Sequence, residues 1–232
     1  EAGRMEIIEV DYDLASVLND LVNMIRPRAD GKGLSLTVQV DPAIPHLLHG
    51  DEIRIKQVVT NILTNAVKYT EEGSVTLSVG LERWEGESAT LRFSVQDTGI
   101  GIREEDMKKL FAAFERIEEK RNRAIEGTGL GMSITNELLA LMESELEVES
   151  TYGKGSTFAF LLKQGVVRDD PIGDYEETLR RATAVRERYH ESFTAPMARI
   201  LVVDDEENDP FSFHCRKRRY HFLKWNRPFP TN

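Results

Sequence analysis

The 232-residue chain has a single cysteine, Cys215, so it can form no internal disulfide and has no cysteine set for a zinc site. It has no apolar run near the roughly 18 residues that a membrane-crossing helix needs, and its N-terminus carries no signal-peptide pattern. These absences point to a reducing, cytoplasmic setting, with no membrane contact by this segment. Basic charge is also short. Against 40 Asp and Glu stand 30 Lys and Arg, a formal charge of −10, which argues against a nucleic-acid partner. Only residues 211–232, FSFHCRKRRYHFLKWNRPFPTN, reverse this, with no acid, six Lys or Arg and two of the eight prolines. A basic patch and a disordered or non-native tail both fit that composition, and the absence of periodicity among its aromatics favours the tail.

What remains is enough for one sizeable core: 40% hydrophobic and 8% aromatic residues. After a short extended piece at 5–12, Leu14, Val17, Leu18, Leu21, Val22 and Ile25 recur at helical spacing until Pro27. LSLTVQV (34–40) alternates like a half-buried strand, and Asp41-Pro42 with Pro45 ends it. A helix follows from Asp51, an N-cap, to Tyr69. SVTLSVGLE (74–82) and ATLRFSVQD (89–97) read as a hairpin. From 98 to 131, glycines flank a charged middle, a long functional or disordered loop with a short helix near 103–110. A helix at 130–142 and two strands, ELEVES (145–150) and STFAFLL (156–162), close the pattern around Tyr152-Gly-Lys-Gly155. The mixture predicts a two-layer α/β sandwich ending near Lys163. Residues 164–197 then read as a partly helical linker, with Tyr175, Leu179, Ala182, Val185 and Tyr189 spaced along it. ARILVVDD (198–205) begins a new, buried-type strand.

Three clusters carry chemistry. On the helix QVVTNILTNAVKYT, Gln57, Asn61, Asn65 and Lys68 share one narrow stripe, opposite an apolar back. Asparagine is a mediocre helix former, so the stripe suggests work: amide oxygens suit Mg²⁺ beside phosphates, Lys68 can pair a phosphate, and Tyr69 offers a ring to a base. The plainer alternative is that the amides are helix-packing hydrogen bonders. Asp97-Thr-Gly-Ile-Gly-Ile102 ends a strand in an acid that can accept from an amino group, with glycines that let backbone approach a ligand. Glu126-Gly-Thr-Gly-Leu-Gly-Met132 sets three glycines before an apolar helix, whose free N–H groups favour an anion. It fits neither the Rossmann nor the P-loop pattern.

The order of the clusters is the specific signal: Asn61/Asn65, Asp97-x-Gly-x-Gly, Phe111-Ala-Ala-Phe114, Gly127-x-Gly-x-Gly131, then Gly153-x-Gly155-Ser-Thr157. Across residues 1–163 it resembles the catalytic, ATP-binding domain of sensor histidine kinases, a branch of the GHKL ATPases. The resemblance implies their mixed, mostly antiparallel sheet with helices on one face, and ATP and Mg²⁺ as ligands. It implies that Asn65 binds Mg²⁺, that Asn61 and Lys68 position phosphates, that Tyr69 packs on the base and that Asp97 holds the adenine amino group. Gly99, Gly101, Ile102, Gly127, Thr128, Gly129, Leu130 and Gly131 would line the nucleotide, with residues 99–130 as a lid, and Thr157 would support the adenine end. Hydrolytic GHKL enzymes carry glutamate where this chain has Asn61; a neutral amide is a poor base, so the site looks built to hold ATP for another nucleophile.

In histidine kinases that nucleophile lies on a preceding hairpin domain, and EAGRME resembles only its last turn, at residues 1–6. His190 is followed by glutamate, but its proline is displaced and it lies after the domain. Residues 198–209 resemble the first strand of a receiver domain, with Asp204 and Asp205 as its paired acids, and the pattern stops by Pro210. The resemblance therefore implies a hybrid kinase of a two-component phosphorelay. Its partners would be the phosphoacceptor hairpin of a homodimer and a receiver domain or response regulator. The alternatives are a GHKL serine or threonine kinase and a degenerate nucleotide-binding docking module.

Overall fold

The computed structural model describes residues 6–107, 131–175, 177, 179, 200, 201, 222 and 223. Strand β1 (Val10–Asp13) runs into helix α1 (Leu14–Gly31), where the Asp13 carboxylate accepts the Ser16 N–H at 2.8 Å and caps the first turn. All six apolar residues of the foreseen stripe are buried. Pro27 does not end the helix, which continues to Gly31. A proline there forfeits one backbone bond near the C-terminus, and burial of Ala29 together with the Lys32 N–H on Ala29 O offsets it. Strand β2 (Ser35–Val40) follows, then β3 (Pro45–Gly50), a strand the sequence reading did not foresee. Helix α2 (Glu52–Tyr69) begins at its expected cap, Asp51, which accepts from Arg54 N at 3.0 Å and from Ile8 N at 2.9 Å. Strands β4 (Ser74–Trp84) and β5 (Ser88–Asp97) form the expected hairpin. Short α3 (Glu104–Met107), helix α4 (Gly131–Leu141), β6 (Glu147–Thr151) and β7 (Gly155–Pro171) complete the unit.

The strands form a sheet in the order β1-β3-β7-β5-β4-β2, with β6 beside the start of β7. Among the described residues its one parallel contact is β2 with β4. In β5 the alternation is clear: Ala89, Leu91, Phe93, Val95 and Asp97 are buried, whereas Thr90, Arg92, Ser94 and Gln96 lie on the other face. The β7 partners of the buried set are Gln164, Leu162, Phe160, Phe158 and Ser156, and Phe93 stacks on Phe160 with centroids 5.2 Å apart. Helices α1 and α2 cover this face, sending Ile25, Ile55, Val59 and Ile62 into one core with it. The two-layer sandwich is thus built as expected, and Asp97 is the polar member of an otherwise apolar row.

The edge at Lys163 needs correction. Strand β7 continues to Pro171 because residues 165–171 pair with β3, ending with Pro45 opposite Pro171. Beyond it, Ile172 N donates to Ile44 O, and Tyr175 is 2% exposed in the core, its hydroxyl donating to Asn19 Oδ1 at 3.0 Å. Burial pushes the Tyr175 phenol up to about 12. The first part of the expected linker therefore belongs to this unit, Glu1–Ala184, by structure. In the second unit, Val185–Asn232, strand β8 (Ile200–Leu201) pairs antiparallel with β9 (Phe222–Leu223), so two residues of the expected tail form a strand.

The end of α2 is held from outside. The Lys32 ammonium donates to the carbonyls of Val67 (2.8 Å), Lys68 (2.9 Å) and Thr70 (3.1 Å), and Thr70 Oγ1 donates to Ala66 O at 2.7 Å. A cation on these orphan carbonyls satisfies them and opposes the helix dipole. Lys32→Met is expected to lower stability by about 1 kcal/mol, since part of each bond faces water. The measurement is a urea midpoint at unchanged slope; an unmoved midpoint would show that water serves these carbonyls equally well.

Candidate functional site

Two groups of side chains flank α2, one at its contact with α4 and one at its C-terminal end. The first lies where α2 packs on α4. Asn61 Nδ2 donates to Thr135 Oγ1 at 2.7 Å and lies 3.8 Å from Met132 Sδ, while Asn65 Nδ2 approaches the same sulfur at 3.2 Å. A Cβ on Gly131 would collide with Asn61 Oδ1, so the first residue of α4 has to be small for the amide to fit. The amide stripe therefore does pack against a helix, through its nitrogen ends. A thioether can only accept, so both amides turn their nitrogens to Met132 and their oxygens elsewhere. Lys68 stands at the other end of the stripe, its ammonium 5.0 Å from the Tyr69 ring centroid.

The second group lies around the end of β5. Asp97 is 5% exposed, and one of its oxygens accepts the Gly99 N–H at 2.8 Å. Burial holds its carboxyl above the usual carboxylate range, and the backbone N–H groups of Gly99 and Ser156 offset part of that. The following loop is pinned on both sides. Ile100 N donates to Tyr69 O at 3.2 Å, Gly153 N donates to Ile100 O at 2.7 Å, and Ile102 N donates to Ser150 Oγ at 2.7 Å. Gly99 leaves no room for a Cβ beneath Tyr69 O, and Gly101, at φ 65°, lies against Thr151 O. The loop is thereby fixed between the end of α2 and the β6–β7 hairpin, with Ile102 packed against the core.

Tyr69, Asp97, Gly99, Gly101 and Ile102 are therefore brought together, and so are Asn61, Asn65 and Gly131. Gly127, Thr128, Gly129 and Leu130 lie outside the described residues, as do Phe111 and Phe114. Thr157 lies on the sheet face opposite the one that Asp97 and Ser156 share. Asp97 pairs with Ser156 and Gln96 with Thr157, and neighbours on a strand point to opposite sides. Ser156, 7% exposed and 3.0 Å from Ser150 Oγ, is the hydroxyl on the Asp97 side. The signal was in the sequence: Phe158, Phe160 and Leu162 mark the core-facing parity of STFAFLL, and Ser156 shares it. Thr135 and Met132 were also missed, since an apolar helix with one threonine carries no mark of a polar contact.

The buried Asp97 carboxylate and its glycine loop lie beside the end of α2 that carries Lys68 and Tyr69, and the Asn61 and Asn65 amides lie earlier on α2, against the start of α4. Residues 50–166 match the histidine kinase-, DNA gyrase B- and HSP90-like ATPases, and the chain belongs to that family. ATP binding goes with membership. The chain is similar to hybrid signal transduction histidine kinase B of Dictyostelium discoideum, with 38% identity over 166 residues, 72% of this chain and 8% of that protein. It is 39% identical over 170 residues to sensor protein GacS of Pseudomonas syringae pv. syringae, covering 73% of this chain and 19% of the relative. The chain thus spans less than a fifth of either. Full-length ShkA solved in complex with AMPPNP is similar in structure, with TM-score 0.61 and 30% identity over 72% of this chain and 33% of that one. The catalytic domain of histidine kinase ThkA shares the fold, with TM-score 0.55 and 23% identity over 68% of this chain and 98% of that one. Among the described residues, no helix is long and apolar enough to cross a membrane.

Proposed function

We propose that this domain holds Mg·ATP for transfer of its terminal phosphoryl group to a histidine on a separate helical-hairpin domain, within a cytoplasmic hybrid sensor kinase. The observation that carries this reading is Asn61, whose amide nitrogen is engaged by Thr135 and which has no basic lone pair for activating water. Phosphoryl transfer needs positioning and charge neutralisation more than acid or base chemistry, and a site without a base suits it. Asp97 accepts the adenine amino group, and its burial makes that single acceptor selective because an unmatched base would leave a carboxylate dry. Lys68 leaves the Tyr69 ring for a phosphate, which frees the ring to pack on the base.

Asn65 fits a magnesium ligand: its nitrogen is taken by Met132 Sδ, so the end left for a hard cation is its oxygen. Bound Mg²⁺ would neutralise phosphate charge. Among the described residues no cluster of three or more His, Cys, Asp or Glu could hold a metal. The imidazole nitrogen attacks the terminal phosphorus, the bond to the bridging oxygen breaks, ADP leaves with that electron pair, and the ring proton passes to a base outside this chain. The phosphate would then move to a receiver domain or response regulator.

The test supplies a phosphoacceptor hairpin from a related kinase in trans with labelled ATP. An acid-labile, base-stable product is expected, and Asn65→Ala should reduce its formation more than tenfold by removing the metal's protein ligand. An acid-stable product would replace this reading with a serine or threonine kinase. Calorimetry showing no nucleotide binding by the intact chain would leave a docking module.

A further inference from the structure

We propose that Thr135 is a positioning residue for the nucleotide site, fixing which end of the Asn61 amide faces the phosphates. An asparagine amide is nearly symmetric in shape, and a half-turn about its last bond exchanges a carbonyl oxygen for two N–H donors. Beside a polyphosphate the two orientations are very different: one presents an acceptor to metal or water, the other presents donors to phosphate. The choice has to be made by the surroundings, because the helix backbone does not make it.

Here the surroundings are α4. Thr135 is 1% exposed and its hydroxyl is 2.7 Å from Asn61 Nδ2. A hydroxyl can accept or donate, so this bond alone would tolerate either orientation. Met132, one turn earlier on the same face, removes the ambiguity: its sulfur lies 3.8 Å from Asn61 Nδ2 and 3.2 Å from Asn65 Nδ2, and sulfur has no proton to give. The Asn61 oxygen is the amide atom nearest Gly131, the first residue of α4, where the helix begins. Thr135 supplies the short bond and Met132 the sign. Because both residues sit on the helix that follows the glycine cluster, the start of α4 and the amides of α2 are set relative to each other by these contacts. A glutamate in place of Asn61 would have no N–H for Thr135 or for the sulfur, so this α4 face is matched to an amide.

The inference rests on the Mg·ATP reading, and the test separates the two. The intact chain is compared with Thr135→Val, which keeps the shape and removes the acceptor, and with Thr135→Ser, which restores it. In ¹⁵N-labelled protein without nucleotide, the Asn61 side-chain NH₂ pair should show a hydrogen-bonded proton that exchanges slowly, lost in Thr135→Val and regained in Thr135→Ser. With nucleotide, Thr135→Val should weaken Mg·ATP about three- to tenfold by calorimetry, the range of one neutral hydrogen bond, and leave ATP in EDTA within about twofold. The serine variant should match the parent. An Asn61 NH₂ signal unchanged by Thr135→Val overturns the inference. So does an equal loss with and without Mg²⁺, or a valine variant that binds Mg·ATP like the parent. A parent chain that binds no nucleotide but shows the NH₂ effect would instead overturn the function proposed for the site.

Discussion

Asp97→Asn is expected to cut ATP affinity about a hundredfold at neutral pH and to leave the melting temperature of the nucleotide-free chain unchanged or higher. The first half follows from the role proposed for Asp97: a carboxylate that accepts from the adenine amino group is replaced by an amide with one acceptor and two donors, one end of which faces the wrong way. Losing a charge-assisted bond and burying a mismatched donor together come to roughly 3 kcal/mol, or two powers of ten. The second half follows from the carboxyl being held above its ordinary range, chiefly by burial. An acid whose folded pKa is raised stabilises the fold below its unfolded pKa and loses that contribution as pH rises through the folded value. At neutral pH the ionised, buried group is a cost, which asparagine removes while keeping an acceptor for Gly99 N. Calorimetric affinity and thermal melts from pH 7 downward check both halves. In the parent chain, affinity should fall on acidification before an ordinary carboxylate near 3.9 would titrate. A variant that melts several degrees lower at neutral pH would show that Asp97 is structural first.

Gly155→Ala is expected to destabilise the fold by about 3 to 4 kcal/mol and to abolish nucleotide binding. Gly155 has φ 110°, and a Cβ there would run into the carbonyl oxygen of Asp97, which is backbone and cannot swing aside. A left-handed conformation costs a non-glycine residue about 1 to 2 kcal/mol, and forcing packed backbone apart adds about as much again. Displacing the start of β7 also moves Ser156 from its place opposite Asp97 and disturbs Ser150 Oγ, which donates to Gly155 O at 3.1 Å. Two residues away, Gly153 supplies the control. It too has positive φ, 83°, but a Cβ there meets nothing within 4 Å, so Gly153→Ala should cost only the conformational part, about 1 kcal/mol. Equal losses for the two variants in urea denaturation would remove the clash from the explanation.

Much of this was legible because it is written locally. The Asp51 cap, the apolar back of α2, the 74–97 hairpin and an acid at the end of a strand are each readable within a few residues. What was not legible depends on partners far away in sequence. Pro45-His-Leu-Leu-His-Gly50 has no period-two pattern and begins with proline; it is a strand because β1 and β7 lie on either side of it. The second half of β7 is polar and reads as a tether, yet β3 pairs with it. The candidate site divides the same way. Asp97 and the asparagines were visible as residue types, but Thr157 was assigned without its strand parity, and the nitrogen ends of the amides have their purpose only opposite Met132 and Thr135.

Tyr175 changes how force enters this unit. A linker beginning at Lys163 would be a slack rope, transmitting nothing until pulled taut. With Ile172 bonded to Ile44 and Tyr175 seated against Asn19 of α1, the chain is belayed at two points before it departs. A pull or twist on whatever follows is therefore delivered to the core and to α1 itself. Lys32, at the C-cap of that same helix, is itself bonded to the end of α2, where Lys68 and Tyr69 stand.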